Sequence, residues 1–150
     1  MKAIVVGTDG SETASRALRE AADLAKTTGA TLHVVSAYER ASGAHISGED
    51  TPERATWMVG PDVQVDSVLD TAAGGLHAEG LEVQSHARPG DPANALLDVA
   101  AEQDADLIVV GSKGMTGAKR FLLGSVPNKI SHHAPCSVLI VRTTEGPPRP

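Results

Sequence analysis

Aromatic residues are almost missing from this chain, with one Trp, one Tyr and one Phe among 150 residues. Stacked rings therefore cannot build the core, and Val, Ile, Leu and Ala must fill it. Cysteine is just as scarce. Cys136 stands alone, which excludes an internal disulfide framework and a cysteine-based zinc site. No apolar run approaches the ~20 residues of a membrane span. Positive charge is in deficit too: 13 Lys and Arg against 19 Asp and Glu leave a net charge of −6. A nucleic-acid surface needs the opposite, a basic stripe. The opening "MKAIVVGTDG" has too short an apolar run for a signal peptide. What remains is a soluble cytoplasmic domain, long enough for one proper core.

Five short runs rich in β-branched residues predict strands: "KAIVVGT" (2–8), "TLHVVSAY" (31–38), "LEVQSHA" (81–87), "DLIVVGS" (106–112) and "SVLIVRT" (137–143). Four are nearly continuous in apolar residues, as strands covered on both faces of a parallel sheet should be. The third alternates apolar and polar positions and reads as an edge. Between them lie helical patterns. Ala14, Ala17, Leu18, Ala21 and Ala25 recur at helical spacing, with Ser11 as N-cap and Gly29 as stop. Asp91 caps a second pattern, with Pro92 at its first position and Ala93, Leu96, Leu97 and Ala100 on one face. A weaker helix covers about 63–79, interrupted by Gly74-Gly75, and a short one covers 125–133 with Pro127 in its first turn. Residues 41–62 read as a loop or insert. The domain then spans 1–143, and 144–150 form a disordered tail.

Strands alternating with helices imply an α/β fold: an open, five-stranded parallel sheet with helices on both faces, Rossmann-like or flavodoxin-like. Ligands in such sheets sit beyond the carboxyl ends of the strands, where the winding reverses. Two strand ends carry more chemistry than a connection needs. "GTDGS" (7–11) follows the first strand; "GSKGMTG" (111–117) follows the fourth, with Gly124-Ser125 ten residues on from Gly114. Glycine at 111, 114 and 124 removes the Cβ that would keep a ligand from the backbone. Free amides at a helix N-terminus form an anion site. Ser125 and Ser112 add hydroxyls, and Lys113 or Lys119 supplies charge. Asp9 would repel phosphate and fits a sugar hydroxyl or a bound divalent cation better. The end of the second strand would line a base pocket, with Val34 offering backbone groups.

Plainer readings stand beside these. Glycines are common turn residues, Asp9-Gly10-Ser11 is also a turn leading to a helix cap, Ser125 is also a cap, and Lys119 and Arg120 also suit a solvated face. The Walker pattern is missing, as no Gly-Lys pair occurs. The spacing at 111, 114 and 117 is not that of a dinucleotide fingerprint, and it follows the fourth strand rather than the first.

The chain resembles the single-domain, ATP-binding universal stress proteins. Those proteins carry G-x2-G-x9-G-[ST] after the fourth strand, and Gly111, Gly114, Gly124 and Ser125 meet that spacing in full. "IVVGTDGSETASRAL", "LHVV", "GDPANALLDVA", "ADLIVVGSKG", "LLGSVPNKI" and "VLIVR" extend the likeness over nearly the whole chain. The resemblance implies strand order 3-2-1-4-5 and an adenine nucleotide, ATP or cyclic AMP, between strands 1 and 4. It places Thr8, Asp9 and Val34 at the adenosine end, and Val110, Gly111, Gly114, Gly124, Ser125 and Val126 at the ribose and phosphates, with Mg²⁺ at Asp9 if a metal is used. Two positions depart from the family: Gly7 stands where some members have Pro, and Pro127 where others have a hydroxyl residue. Pro127 removes one amide and one phosphate contact, which turns attention to a shorter phosphate. Actinobacterial members of the family take cyclic AMP.

Catalytic groups are few. His132 and His133 are adjacent and diverge, His33 reads as packed mid-strand, and His45, His77 and His86 have no spaced partner. Cys136 reads as a small core residue. No nucleophile elbow occurs. Hydrolysis needs a positioned water and a base, and Asp9 is the one candidate, so any ATPase should be slow. Three classes are weighed: a nucleotide-binding regulatory module, a phosphoryl- or adenylyl-transferring enzyme, and a nucleotide-free stress protein, against which the intact glycine motif speaks. The resemblance also implies a homodimer joined through the apolar strand 137–143, an edge otherwise shielded by the tail.

Overall fold

A computed structural model describes residues 1–38, 52–112 and 124–142, with the backbone alone for 52–63. Within these residues the elements run β1 (Ala3–Gly7), α1 (Glu12–Thr28), β2 (Thr31–Tyr38), α2 (Pro52–Ala78), β3 (Val83–Pro89), α3 (Pro92–Glu102), β4 (Leu107–Gly111), α4 (Ser125–His133) and β5 (Ser137–Val141). The five strands form one parallel sheet in the order β3-β2-β1-β4-β5. Fold class, strand order and the edge position of β3 are thus as the sequence predicts. Gly114, Lys113, Lys119, His45 and the tail at 144–150 lie outside the described residues.

Alternation along the central strands explains their continuous apolar sequence. Ile4, Val6, Leu32, Val34, Leu107 and Val109 face α1 and α2, while Ala3, Val5, Val35, Ile108 and Val110 face α3 and α4. Both faces are covered, so each position is buried. Helix α1 meets the sheet through Ala17, Ala21, Ala22 and Ala25. Methyl-sized contacts let a helix approach a sheet of β-branched residues closely, which suits a core with so few rings.

The helix ends follow local rules. The Ser11 hydroxyl accepts the Ala14 amide at 3.1 Å, and Gly29 ends α1 in the left-handed region at φ 78°. The Asp91 carboxylate accepts the Asn94 amide, with Pro92 in the first turn of α3. Helix α2 departs from expectation. It starts at Pro52, inside the segment read as an insert, and runs unbroken through Gly74-Gly75. A Cβ added at either glycine would meet nothing within 4 Å, so this pair lies in open space. It costs only helix propensity, about 1 kcal/mol each, which the buried stripe of Val65, Leu69, Ala73 and Leu76 offsets.

At the amino-terminal edge of the sheet, one Asp106 carboxylate oxygen accepts the amides of Lys2 and Ala3 at 2.6 and 3.0 Å. These two backbone donors hold the Asp106 carboxyl below its ordinary range. This clamp joins the start of β1 to the residue before β4. The carboxyl ends of the same two strands lie at the far side, where the winding reverses between β1 and β4.

Candidate functional site

The turn after β1 is built from its own hydroxyl and carboxylate. The Thr8 amide donates to the Val35 carbonyl at 2.9 Å, and the Thr8 hydroxyl accepts the Gly10 amide at 3.1 Å. The Asp9 Oδ1 accepts the Ser11 amide at 2.9 Å. Gly10 sits at φ 83°, and a Cβ there would lie 3.1 Å from Val68 Cγ2 on α2. Glycine is required here twice over, by backbone conformation and by the close approach of α2. The plain reading of Asp9-Gly10-Ser11 as a turn and cap is therefore correct. It is also compatible with binding, because the turn bonds use one carboxylate oxygen of Asp9 and leave the second without a protein partner among the described residues.

This turn opens on a crevice lined by Gly7 at the end of β1, Thr8 and Asp9 of the turn, Val110 and Gly111 from β4, and Val126 and Pro127 from α4. Ser11, Thr13, Ala14 and Ala17 of the α1 start and Leu96 of α3 complete the lining. Strands 1 and 4 are hydrogen-bonded neighbours, with Val6 opposite Val109. The two chemistry-bearing strand ends therefore do share one opening. Leu96 forms its floor: a Cβ on Gly7 would lie 3.2 Å from Leu96 Cδ1 and 3.3 Å from Cδ2. That contact explains why this chain has no side chain at position 7.

Helix α4 points its amino terminus at this opening. Its N-cap is Gly124, at φ −65° and ψ 170°, and no side chain caps it. Ser125 is thus the first helical residue and not the cap. Gly124 itself is not a bare donor. Its amide donates to the Ser112 carbonyl at 3.0 Å, and its carbonyl accepts the Asn128 amide at 3.1 Å. The donors available at this end are the amides of Ser125 and Val126, which have no acceptor within the first helical turn, together with the exposed Ser125 hydroxyl. Pro127, in the same turn, contributes no amide. The helix dipole reinforces the preference for an anion there.

Val34 stands apart from the group. It is fully buried between Val6 and Ser85 in the sheet, facing α1 and α2. The register pairs Gly7 with Val35, so the β2 residues that reach past the end of β1 are Ser36, Ala37 and Tyr38. The sequence alone does not reveal this register, because nothing in "LHVVSAY" marks where β1 stops beside it.

The histidines also differ from expectation. His33 is packed, with 3% of its surface exposed, but it is not alone: its Nδ1 lies 3.0 Å from Nε2 of His86 on the neighbouring strand. Their separation of 53 residues in sequence hides the pair. Cys136 is half-buried, and burial pushes its thiol pKa up, as for a packed residue rather than a nucleophile. Among the described residues, no group of three or more His, Cys, Asp and Glu side chains could hold a metal ion, and no helix is long and apolar enough to cross a membrane.

The universal stress protein family model matches residues 1–142. The chain is 37% identical over 148 residues to a universal stress protein of Mycobacterium tuberculosis, with 95% of this chain and 97% of that one covered. Among solved structures it is similar to a universal stress protein in complex with cAMP, at 30% identity and a TM-score of 0.72, over 95% of this chain and 98% of that one. It is also similar to the universal stress protein from Archaeoglobus fulgidus in complex with dAMP, at 27% identity and a TM-score of 0.67, over 95% and 98% of the two chains.

Proposed function

The chain belongs to the universal stress protein family, and from that premise we propose that it is an adenine-nucleotide-binding regulatory module acting in the cytoplasm. The observation that carries this reading is the convergence of three features on one crevice: the Thr8-Asp9 turn, the Val110-Gly111 strand end and the uncapped start of α4. Relatives in complex with cAMP and dAMP support the ligand class.

In this proposal the phosphate lies at the amides of Ser125 and Val126 and the Ser125 hydroxyl, with Gly111 and Gly114 giving close access to the backbone. Gly124 supports them by tying its amide to Ser112 and setting the direction of α4. Asp9 takes the ribose hydroxyls with its second oxygen, or a Mg²⁺ ion. Mg²⁺ commonly uses one or two carboxylates and completes its shell with phosphate oxygens and water, so a single Asp9 fits that role with ATP. The base lies toward the end of β2, past Val34, beside Ser36 and Ala37. With Pro127 in place of a hydroxyl-bearing residue, a single phosphate is better served than three, and cyclic AMP is the ligand we favour over ATP.

Chemistry on the nucleotide is at most slow hydrolysis. The first turn of α4 and the β1 turn supply positioning, and Asp9, the one carboxylate lining the crevice among the described residues, is committed to the sugar or metal. A phosphoryl- or adenylyl-transferring enzyme is the alternative on the same fold. Single-turnover assays with labelled ATP separate the two, since rapid release of phosphate or pyrophosphate supports the enzyme. We further propose a homodimer through β5, whose residues Val138 to Val141 are only half-buried at the sheet edge. Mass spectrometry of the small molecules that co-purify with the chain tests the ligand class. An adenine nucleotide at near-stoichiometric amount is the expected result, and a non-nucleotide ligand at that level would overturn it.

A further inference from the structure

We propose that the hydrogen-bonded pair His33–His86 is an acid-sensitive clasp, which holds edge strand β3 on β2 and, through it, keeps the crevice in its binding shape. The clasp stands on geometry alone; its effect on ligand rests on the nucleotide reading above.

The pair crosses the two strands diagonally. The register partner of His33 on β3 is Gln84, and that of His86 on β2 is Val35. The ring centroids are 5.2 Å apart, tilted by 38°. With Nδ1 and Nε2 at 3.0 Å, one nitrogen must donate and the other accept, so at least one ring is neutral. When both rings are protonated every ring nitrogen is a donor. The bond is lost, and two cations face each other across the same gap. His33 cannot swing out to water, because it is buried between β1 and β3 beneath α3.

The surroundings do not neutralise that repulsion. Val5 is the β1 residue opposite His33, and it is apolar. Glu82, ahead of β3, acts on His33. Arg88 on β3 and Glu102 on α3 act on His86, with Asp98 of α3 beside Arg88. Glu102 is already engaged by Arg88 through two hydrogen bonds at 2.9 and 2.6 Å. Helix α2 covers the opposite face of β2 and β3. Burial, as the largest cause, holds both rings below their ordinary range. Glu82 opposes this at His33; the neighbouring ring and Arg88 add to it at His86, with Glu102 opposing. For a base held below its unfolded value of about 6.5, stabilisation is present above that pH and is lost as pH falls below it.

Two routes join β3 to the crevice. Val35, opposite His86, gives its carbonyl to the Thr8 amide. Helix α3 begins just after β3, following Gly90 and Asp91, and its Leu96 floors the crevice beneath Gly7. Release of β3 therefore disturbs both the Thr8 turn and the floor.

The test uses the full chain at pH 7.5 and 5.5, with amide hydrogen exchange corrected for intrinsic rates, histidine ring titration by NMR, and calorimetric titration with cyclic AMP. Protection of residues 83–88 is expected to fall about tenfold or more relative to β1 and β4, with cyclic AMP affinity falling in parallel. His86→Gln keeps a donor and an acceptor but removes the second cation. It should abolish the selective acid loss and leave behaviour at pH 7.5 unchanged. Equal loss of protection in β3, β1 and β4, or an unaltered acid loss in His86→Gln, overturns the clasp. If that variant fails to fold, the wild-type rings decide: midpoints at or above the ordinary histidine value overturn it. Selective opening of β3 with unchanged cyclic AMP affinity overturns the coupling to the crevice. Absence of cyclic AMP binding at pH 7.5 counts against the nucleotide reading, and the exchange arm still tests the clasp.

Discussion

The carbonyl of Ser112 accepts the amide of Gly124 at 3.0 Å, joining the end of β4 to the start of α4. One bond thereby brings the two halves of the glycine motif together and fixes where the helix begins. In the proposed site it takes Gly124 out of the set of phosphate donors and leaves that role to the amides of Ser125 and Val126. Ser112 and Gly124 thus frame the helix start.

Gly7 and Leu96 are packed so closely that a side chain at position 7 must displace the crevice floor. Gly7→Val is expected to destabilise the chain by about 1–3 kcal/mol, as overpacking does. In a Leu96→Ala background the same change should cost less by about 1 kcal/mol. Urea unfolding of the four proteins measures this coupling, and an equal cost in both backgrounds would refute the contact.

Gly10 holds a left-handed backbone against Val68. Gly10→Ala should cost about 1–2 kcal/mol from backbone conformation alone, with the Val68 contact adding to it. Gly10→Asn, which tolerates that conformation better, should recover part of the loss in the same unfolding experiment.

Asp106 predicts a pH dependence with a definite sign. Two backbone amides lower its carboxyl in the folded chain, so the stabilisation it gives is present above its unfolded value, about 3.9, and fades as pH falls through the lower folded value. Thermal melts should show the wild type losing stability on acidification below about pH 4 more steeply than Asp106→Asn. Parallel curves would remove Asp106 from the account.

The half-buried apolar edge at β5 predicts that Ile140→Lys yields a monomer. Light scattering should give a mass twice the chain mass for the wild type and once for the variant. An unchanged mass would show that β5 is covered in some other way.

Much of the architecture was legible because it rests on local chemistry. Ser11, Gly29, Asp91 and Pro92 mark helix ends wherever they occur, and two-sided burial gives Ile4 to Val6 and Leu107 to Val110 their unbroken apolar runs. The order of strands and the shared opening at β1 and β4 followed from the resemblance and from handedness. What escaped is set by register and long-range approach. Only pairing with β1 shows that Val34 lies within the sheet while Ser36 reaches past the end of β1. His33 and His86 meet only because β2 and β3 are adjacent. Gly74-Gly75 reads as a break until the helix is seen to turn that pair toward open space, and the need for Gly10 depends on where Val68 of α2 lies.

The central claim is that the first amides of α4 hold the phosphate, and Ser125→Pro tests it most directly. Proline suits the first helical position, and Gly124 already has the extended backbone that precedes proline well. The change therefore removes one amide and one hydroxyl with the fold kept. Calorimetric titration with cyclic AMP should show affinity at least about tenfold weaker, about 1.4 kcal/mol, with the circular dichroism spectrum unchanged. Wild-type affinity in a folded Ser125→Pro protein would contradict the account.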